Sequence, residues 1–127
     1  MFRILIVDDT KSIHSFVNSL LSKSKDIKTT SVFNGALATE LLKQNQDFDL
    51  ILLDWEMPVL NGPSTFDEFV RMGIKIPTVM MTTKNAPEDI QLMLSKGVAA
   101  YLMKPFTIDI LFEKIEFASG KVFSYAA

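Results

Sequence analysis

Short apolar runs and segments with helical spacing alternate along this sequence. Runs rich in apolar and β-branched residues predict five strands, at Phe2–Val7, Lys28–Phe33, Asp49–Leu53, Thr78–Thr82 and Ala100–Met103. Several of these runs are almost continuously apolar, which is typical of strands covered by helices on both faces. After each strand, apolar residues recur with the i, i+3, i+4 spacing of an amphipathic helix. The alternation predicts a (βα)5 domain.

The connections between the predicted strands are long enough for helical crossovers, which are almost always right-handed between parallel strands. The expected fold is therefore α/β, an open parallel sheet with helices on both faces. Pro87 predicts the start of the fourth helix, and Gly73 and Gly97 stand where helices should end. We expect one domain over residues 1–118 and a short, loose C-terminal tail over residues 119–127.

The composition excludes several classes of protein. The 127 residues include no Cys and one His, so disulfides, thiolate zinc sites and multi-histidine metal sites cannot form within one chain. The net charge of −2, without a stripe of Lys or Arg, argues against nucleic-acid binding by this domain. No apolar run approaches the roughly 18 residues of a membrane span, and we find no signal peptide. We therefore expect a cytoplasmic protein without membrane insertion.

Polar residues stand where the predicted strands end. Asp8 and Asp9 follow the first strand, and Asp54 follows the third. Thr82 ends the fourth strand, and Lys104 follows the fifth. Because ligands of open α/β sheets bind beyond the carboxyl ends of the strands, we expect these side chains to share one crevice.

Three carboxylates in one crevice would require a cation. Two like charges about 4 Å apart repel by on the order of 4 kcal/mol at an effective dielectric constant near 20. Mg²⁺ suits such a site, because it prefers oxygen ligands and typically combines one or two carboxylates with a phosphate. Lys104 and Thr82 could bind phosphoryl oxygens, and an aspartate can attack phosphorus to form an acyl phosphate.

Four segments with these residues resemble one protein family. They are ILIVDD (Ile4–Asp9), LILLDWEMPVLNG (Leu50–Gly62), TVMMT (Thr78–Thr82) and YLMKPF (Tyr101–Phe106). Together they resemble the receiver domain of two-component response regulators, the chemotaxis-regulator-like family, over essentially the whole chain. The resemblance implies a flavodoxin-like, doubly wound parallel sheet of five strands in the order 2-1-3-4-5.

The resemblance also implies a function in phosphorelay signalling. Asp54 would accept a phosphoryl group from a histidine kinase or a phosphotransfer protein, with Mg²⁺ as cofactor. Asp9 would bind the metal directly, Asp8 through water, and the Glu56 backbone carbonyl would be a further ligand beside Asp54. Such a protein is not an enzyme in the ordinary sense, because it catalyses only its own phosphotransfer and self-dephosphorylation.

Matching positions imply further roles. Lys104 would neutralise the phosphoryl group, Thr82 would donate a hydrogen bond to it, and Tyr101 would rotate inward as Thr82 shifts. Thr83 joins the residues beside the phosphoryl group, where the family usually has a smaller residue, and its branched side chain would crowd the site. In the family, an output protein binds the face formed by the fourth helix, the fifth strand and the fifth helix.

Glu56 and Lys84 lie two residues beyond Asp54 and Thr82, at positions that the family links to the rate of self-hydrolysis. We expect these two side chains to approach each other across the mouth of the site and to gate it. Trp55, directly after Asp54, would report metal or phosphoryl binding by its fluorescence. His14 is expected on the surface.

Other interpretations of the same residues stay open at this point. Asp8, Asp9 or Thr10 could cap the first helix, and Lys104 could be an exposed loop lysine. A Mg²⁺-dependent phosphohydrolase would also form an aspartyl phosphate. Such hydrolases generally place the nucleophile at the end of the first strand, whereas the lone Asp54 ends the third. A receiver-like interaction module that is never phosphorylated is disfavoured by the complete set of site residues.

Overall fold

The computed structural model describes residues 1–126, in which five strands and five helices alternate. The strands are β1 (Phe2–Val7), β2 (Ile27–Val32), β3 (Leu50–Asp54), β4 (Thr78–Thr82) and β5 (Ala100–Met103). The helices are α1 (Lys11–Leu21), α2 (Gly35–Gln44), α3 (Gly62–Arg71), α4 (Pro87–Lys96) and α5 (Ile108–Ser119). β1, β4 and β5 have their predicted bounds. β2 begins and ends one residue earlier than predicted, and β3 one residue later.

All strands are parallel and lie in the order β2-β1-β3-β4-β5, which confirms the flavodoxin-like fold and strand order expected above. The chain reverses its direction across the sheet between β1 and β3, so a crevice opens beyond the ends of these two strands. Val7 pairs with Leu53, and Asp54 pairs with Met81. This register places the residues that follow β1 and β3 at one edge of the sheet.

Alternate residues of each strand face opposite sides of the sheet and build two cores. Ile4 and Ile6 pack with α1 and α5 on one side, whereas Leu5 and Val7 pack with α2, α3 and α4 on the other. All four of these side chains are fully buried. The side chains of β1 are therefore enclosed on both faces of the sheet, and this packing supports the edge at which β1 and β3 end.

Capping residues define where several helices begin and end. The side chains of Asn34, Asn61 and Thr107 accept hydrogen bonds from the first turns of α2, α3 and α5. α4 starts at Pro87 as predicted, and it ends at Gly97, whose φ of 111° lies in the left-handed region. Gly73, with φ of 76°, directly follows the last turn of α3.

The segment after α5 is not loose as expected. Phe123 is buried, and its ring lies 4.9 Å from that of Phe2 and 6.1 Å from that of Phe112. Tyr125 stacks on Phe112 at 4.0 Å, and its hydroxyl donates a hydrogen bond to Asp109 at 2.8 Å. Phe123 and Tyr125 thus extend the core on the α1 and α5 side. Ala127, the last residue of the predicted tail, lies outside the described residues.

Over residues 1–126, no helix combines the length and the apolar character that crossing a membrane requires.

Candidate phosphoryl-acceptor and metal site

The structure brings the three predicted carboxylates together. Asp8 and Asp9 follow β1, Asp54 is the last residue of β3, and each offers an oxygen within 4.8 Å of the others. Asp8 is fully buried and Asp54 is 4% exposed, whereas Asp9 is exposed to solvent. The cluster therefore has a buried base and one carboxylate at its opening.

Lys104 binds two of the three carboxylates from the loop after β5. Its Nζ atom donates to Oδ1 of Asp54 at 2.9 Å and to Oδ2 of Asp8 at 3.1 Å. Lys104 is thus not the exposed loop lysine of the alternative interpretation. The peptide bond between Lys104 and Pro105 is cis.

Burial dominates the electrostatics of the cluster. It raises the pKa of Asp54 to about 6, and the negative charges of Asp8 and Asp9 act in the same direction. The hydrogen bond and charge of Lys104 offset only part of this rise. Burial lowers the pKa of Lys104, but the bonds and charges of Asp54 and Asp8 outweigh it, so that the pKa lies above its ordinary value. Lys104 is therefore a cation wherever Asp54 titrates.

Asp8 also organises the turn into α1. Its Oδ1 atom accepts a hydrogen bond from the backbone N–H of Thr10 at 2.8 Å, and Thr10 is the residue before the first helical turn. The side chain of Thr10 makes no capping bond of its own. The Asp8–Thr10 bond is a turn that precedes α1 and not a helix cap, because Thr10 is itself the N-cap residue and the first helical N–H groups receive no side-chain cap. The capping interpretation of the acidic pair is therefore wrong.

The loop after Asp54 packs tightly against β3. The backbone N–H of Gly62 donates to the carbonyl of Trp55 at 2.7 Å. A Cβ atom on Gly62 would lie 2.4 Å from the carbonyl oxygen of Asp54 and 2.8 Å from the Cα of Trp55, so only glycine fits. This contact fixes the backbone on which the Asp54 side chain stands.

The cleft above Asp54 has a volume of about 300 Å³. Thr82 and Thr83 line it together with Asp9 and Lys104. The Thr82 side chain is buried, and its Oγ1 atom accepts a hydrogen bond from the Lys84 N–H at 3.0 Å. Thr83 is exposed at the opening, where the sequence predicts that a branched side chain would crowd access.

Tyr101 lies inside, 8% exposed, and its hydroxyl donates to the backbone carbonyl of Lys84 at 3.3 Å. Burial raises the pKa of this phenol above its ordinary value. The Tyr101 ring meets the ring of Trp55 edge to face at 6.4 Å. Trp55, which follows Asp54 in the chain, is thus in contact with Tyr101, the predicted switch residue.

Glu56 and Lys84 line one depression of about 410 Å³ beside the cleft. Within residues 1–126 the Lys84 ammonium forms no ion pair with Glu56, and it lies 5.6 Å from the centroid of the Trp55 ring instead. The two side chains therefore share the mouth of the site without forming an ion pair within residues 1–126.

His14 is the residue that sequence reasoning placed wrongly. It is 4% exposed rather than on the surface, and its ring bonds to the backbone of Asp8 and to Ser31. The buried positions of α1 are His14, Val17 and Leu21, at i, i+3 and i+7. The spacing to Val17 and Leu21 places His14 on the buried face of α1, although its side chain is polar.

The donor set fits Mg²⁺ better than a softer metal. All its candidate ligands are oxygens, and three carboxylates with one ammonium leave two net negative charges at neutral pH. A divalent ion would balance this charge, and hard cations prefer carboxylate oxygen. The exposed Asp9 leaves such an ion a route of entry from solvent.

Comparison with known proteins identifies the family and agrees with the fold. The sequence model of the response regulator receiver domain matches residues 4–116, and the chain therefore belongs to the response regulator receiver domain family. The chain is 31% identical over 121 residues to the chemotaxis protein CheY homolog of Campylobacter jejuni, covering 93% of this chain and 92% of that protein. It is 33% identical over 119 residues to chemotaxis protein CheY-3 of Vibrio cholerae, covering 90% and 88%.

Solved structures show the same similarity. The Francisella response regulator 1452 receiver domain superposes with a TM-score of 0.86 at 30% identity, covering 94% of this chain and 98% of that one. The receiver domain of sensor histidine kinase PA1611 from Pseudomonas aeruginosa superposes with a TM-score of 0.82 at 26% identity, covering 94% and 98%. That structure has a magnesium ion coordinated in its active-site cleft. This chain is therefore a CheY-like receiver domain, a class of signalling module and not of classical enzymes.

Proposed function

We propose that this receiver domain accepts a phosphoryl group on Asp54 from the phosphohistidine of a histidine kinase or a phosphotransfer protein, in the cytoplasm. The observation that carries the proposal is the placement of the Asp54 carboxylate in the cleft, bonded to Lys104 and beside two further carboxylates. An oxygen of Asp54 forms the new bond to phosphorus while the bond from phosphorus to the donor nitrogen breaks. The imidazole of the donor leaves with the electron pair of that bond.

Asp8, Asp9, Asp54 and the backbone carbonyl of Glu56 would hold Mg²⁺. The ion, when bound, supplies positive charge that offsets the charge of the phosphoryl oxygens. Asp9 is the direct ligand in this proposal, because it is exposed. Asp8 acts through water, because its two oxygens are already bonded to Thr10 and Lys104.

Lys104, Thr82 and Thr83 form the phosphoryl-binding side of the site. The Lys104 ammonium is a compact positive charge that neutralises a phosphoryl oxygen once the group is attached to Asp54. The hydroxyl of Thr82 donates a hydrogen bond to another oxygen of the group. Thr83 narrows the cleft at its opening and slows the access of water to the phosphoryl group.

Thr82 and Tyr101 carry the change outward. The Thr82 hydroxyl accepts a hydrogen bond from the Lys84 N–H, and the Lys84 carbonyl accepts one from the Tyr101 hydroxyl. Movement of Thr82 toward the phosphoryl group therefore shifts Lys84, and Tyr101 responds to the phosphorylation of Asp54. Tyr101 borders an apolar groove of about 750 Å³ between α4, β5 and α5, which Leu94 and Phe117 also line. We propose this face as the binding site of the output protein, and no role in nucleic-acid binding for this domain.

Glu56 and Lys84 control self-dephosphorylation in this proposal. Both side chains are exposed at the mouth beside Trp55, where they affect the path of water to the phosphoryl group. The variant with alanine at both positions should change the phosphoryl lifetime, measured as loss of label from the phosphorylated protein. An unchanged lifetime contradicts the gating role and leaves the acceptor assignment intact.

The test of the acceptor is incubation with a small acyl or amido phosphate donor and Mg²⁺, followed by intact mass measurement. Wild type should gain the mass of one phosphoryl group, and Asp54→Asn should gain none. Asp47→Asn is the matched control, because this exposed aspartate lies before β3 at the opposite end of the strand. Equal labelling of wild type and Asp54→Asn would overturn the assignment.

A further inference from the structure

A buried histidine outside the cleft contacts the backbone of the acidic pair. The Nε2 atom of His14 lies 2.7 Å from the carbonyl oxygen of Asp8, and Nδ1 lies 2.8 Å from Oγ of Ser31. A carbonyl oxygen only accepts hydrogen bonds, so Nε2 carries a hydrogen and donates it to Asp8. The hydroxyl of Ser31 can donate to Nδ1, which favours the tautomer with the hydrogen on Nε2.

The imidazole is held from three elements of the fold. His14 belongs to the first turn of α1, Ser31 to β2, and Asp8 to the loop after β1. The ring of Phe33 covers the imidazole, with the two ring centroids 4.3 Å apart. This packing leaves His14 4% exposed and fixes the direction of its Nε2–H bond.

The other polar groups of Asp8 are also bonded. Its N–H donates to the carbonyl of Val32 at 3.3 Å, and its carboxylate is bonded to Thr10 and Lys104. The carbonyl that His14 binds belongs to the peptide group between Asp8 and Asp9. The orientation of this peptide sets the direction in which Asp9 leaves the strand.

We infer that His14 is a positioning residue, whose Nε2–H fixes the peptide between Asp8 and Asp9 so that the exposed Asp9 carboxylate faces the cation site. The inference rests on the proposed function, since it concerns the same Mg²⁺ site. His14 touches neither the ion nor the phosphoryl group, and it acts through the backbone. Groups that orient metal ligands typically contribute 10–100-fold to metal affinity, so loss of this donor should weaken Mg²⁺ binding by about that factor.

The test is Mg²⁺ titration by isothermal titration calorimetry of wild type and variants. His14→Phe keeps a ring but removes the donor, and its Kd for Mg²⁺ should rise about 10–100-fold. His14→Gln retains an N–H donor and should restore part of the affinity. Val17→Ala is the matched control, because Val17 is a buried residue of the same helix without a polar contact to Asp8. It should lower the Tm and leave the Kd for Mg²⁺ unchanged.

A second readout needs no metal. The N–H of Thr10 bonds to Asp8, so its amide hydrogen exchange in Mg²⁺-free buffer should accelerate in His14→Phe beyond the change in Val17→Ala. If His14→Phe does not fold, Ser31→Ala takes its place, because it removes the hydroxyl that favours the tautomer with the hydrogen on Nε2 and so weakens the bond from His14 to the Asp8 carbonyl. A measurable rise in its Kd supports the inference, and an unchanged Kd contradicts it.

The outcomes separate the two proposals. A wild type that binds Mg²⁺ and a His14→Phe variant that binds it equally well overturn the positioning role alone. An equal loss of affinity in Val17→Ala overturns it too, because the effect would then follow general destabilisation. A wild type that does not bind Mg²⁺ overturns the proposed metal site and this inference with it.

Discussion

The Nζ atom of Lys104 lies 2.9 Å from Oδ1 of Asp54, in a setting where both groups are largely removed from solvent. The pair joins the loop after β5 to the end of β3, so the cleft depends on a contact between residues 50 positions apart. The ion pair does not restore the ordinary pKa of Asp54, because burial and the neighbouring carboxylates outweigh it. Without a metal ion, the site therefore disfavours the ionised form of Asp54.

This electrostatic cost predicts a dependence of stability on pH. The pKa of Asp54 in the folded protein is about 6, above the ordinary 3.8, so the folded state holds its proton to higher pH than the unfolded chain. The contribution of Asp54 to the free energy of unfolding is then complete below about pH 4 and is lost as the pH rises through about 6. Ionised Asp54 should cost about 1–3 kcal/mol near pH 7.5, since one pKa unit corresponds to about 1.4 kcal/mol.

Urea denaturation of wild type and Asp54→Asn in Mg²⁺-free buffer measures this cost. Asn carries no charge, so the variant should be the more stable protein near neutral pH. The unfolding free energies of the two proteins should converge as the pH falls to about 4. A difference in unfolding free energy that stays constant across the window would contradict the raised pKa.

A second prediction concerns metal binding and Asp9. Mg²⁺ should raise the Tm of wild type, because a ligand at 100 times its Kd stabilises the folded state by about 2.7 kcal/mol. Asp9 is exposed, and within residues 1–126 its carboxylate accepts one hydrogen bond, from the Thr10 hydroxyl at 3.5 Å. Asp9→Asn should therefore change the metal-free unfolding free energy by no more than an ordinary surface substitution does, about 0.5 kcal/mol. Its Tm should no longer respond to Mg²⁺. Calorimetric scans with and without Mg²⁺ check both parts, and a full response in the variant would remove Asp9 from the ligands.

The order of the elements and the meeting of the site residues could be predicted from the sequence, because both follow from local patterns. Apolar runs defined the central strands, and polar residues at their ends identified Asp8, Asp54 and Lys104 as neighbours. In a parallel sheet these ends share one edge, so no knowledge of long-range packing was needed.

The errors concern residues whose environment is set by distant parts of the chain. His14 is buried because Ser31 on β2 and the Asp8 carbonyl satisfy both of its nitrogens. Its helical spacing to Val17 and Leu21 indicates the buried face of α1 but does not reveal these two partners. The segment after α5 packs because Phe123 meets Phe2 at the other end of the chain. Partners that are remote in sequence leave no local pattern, so the sequence does not show what satisfies or packs such polar and aromatic residues.

The packed C-terminal segment predicts a role in stability. Phe123 is 7% exposed between Phe2 and Phe112, so Phe123→Ala should lower the free energy of unfolding by about 3 kcal/mol, as for other buried phenylalanines. The neighbouring Val122 is 84% exposed, and Val122→Ala should change it by less than about 0.5 kcal/mol. Urea denaturation compares the two. Equal, small effects would mean that residues 121–126 do not pack as described.

The last prediction concerns Val59, which has φ of 71° in the loop after β3 and is 98% exposed. A β-branched residue is strained in the left-handed region, at a cost of roughly 1–2 kcal/mol, and this side chain gains little burial in return. Asn tolerates that conformation, so Val59→Asn should raise the free energy of unfolding by about 1 kcal/mol. Val122→Asn is the control, since Val122 is also largely exposed, at 84%, but has no positive φ, and it should gain nothing. Urea denaturation decides, and a loss of stability in Val59→Asn would show that the Val59 side chain contributes to the loop in some other way than its backbone angle.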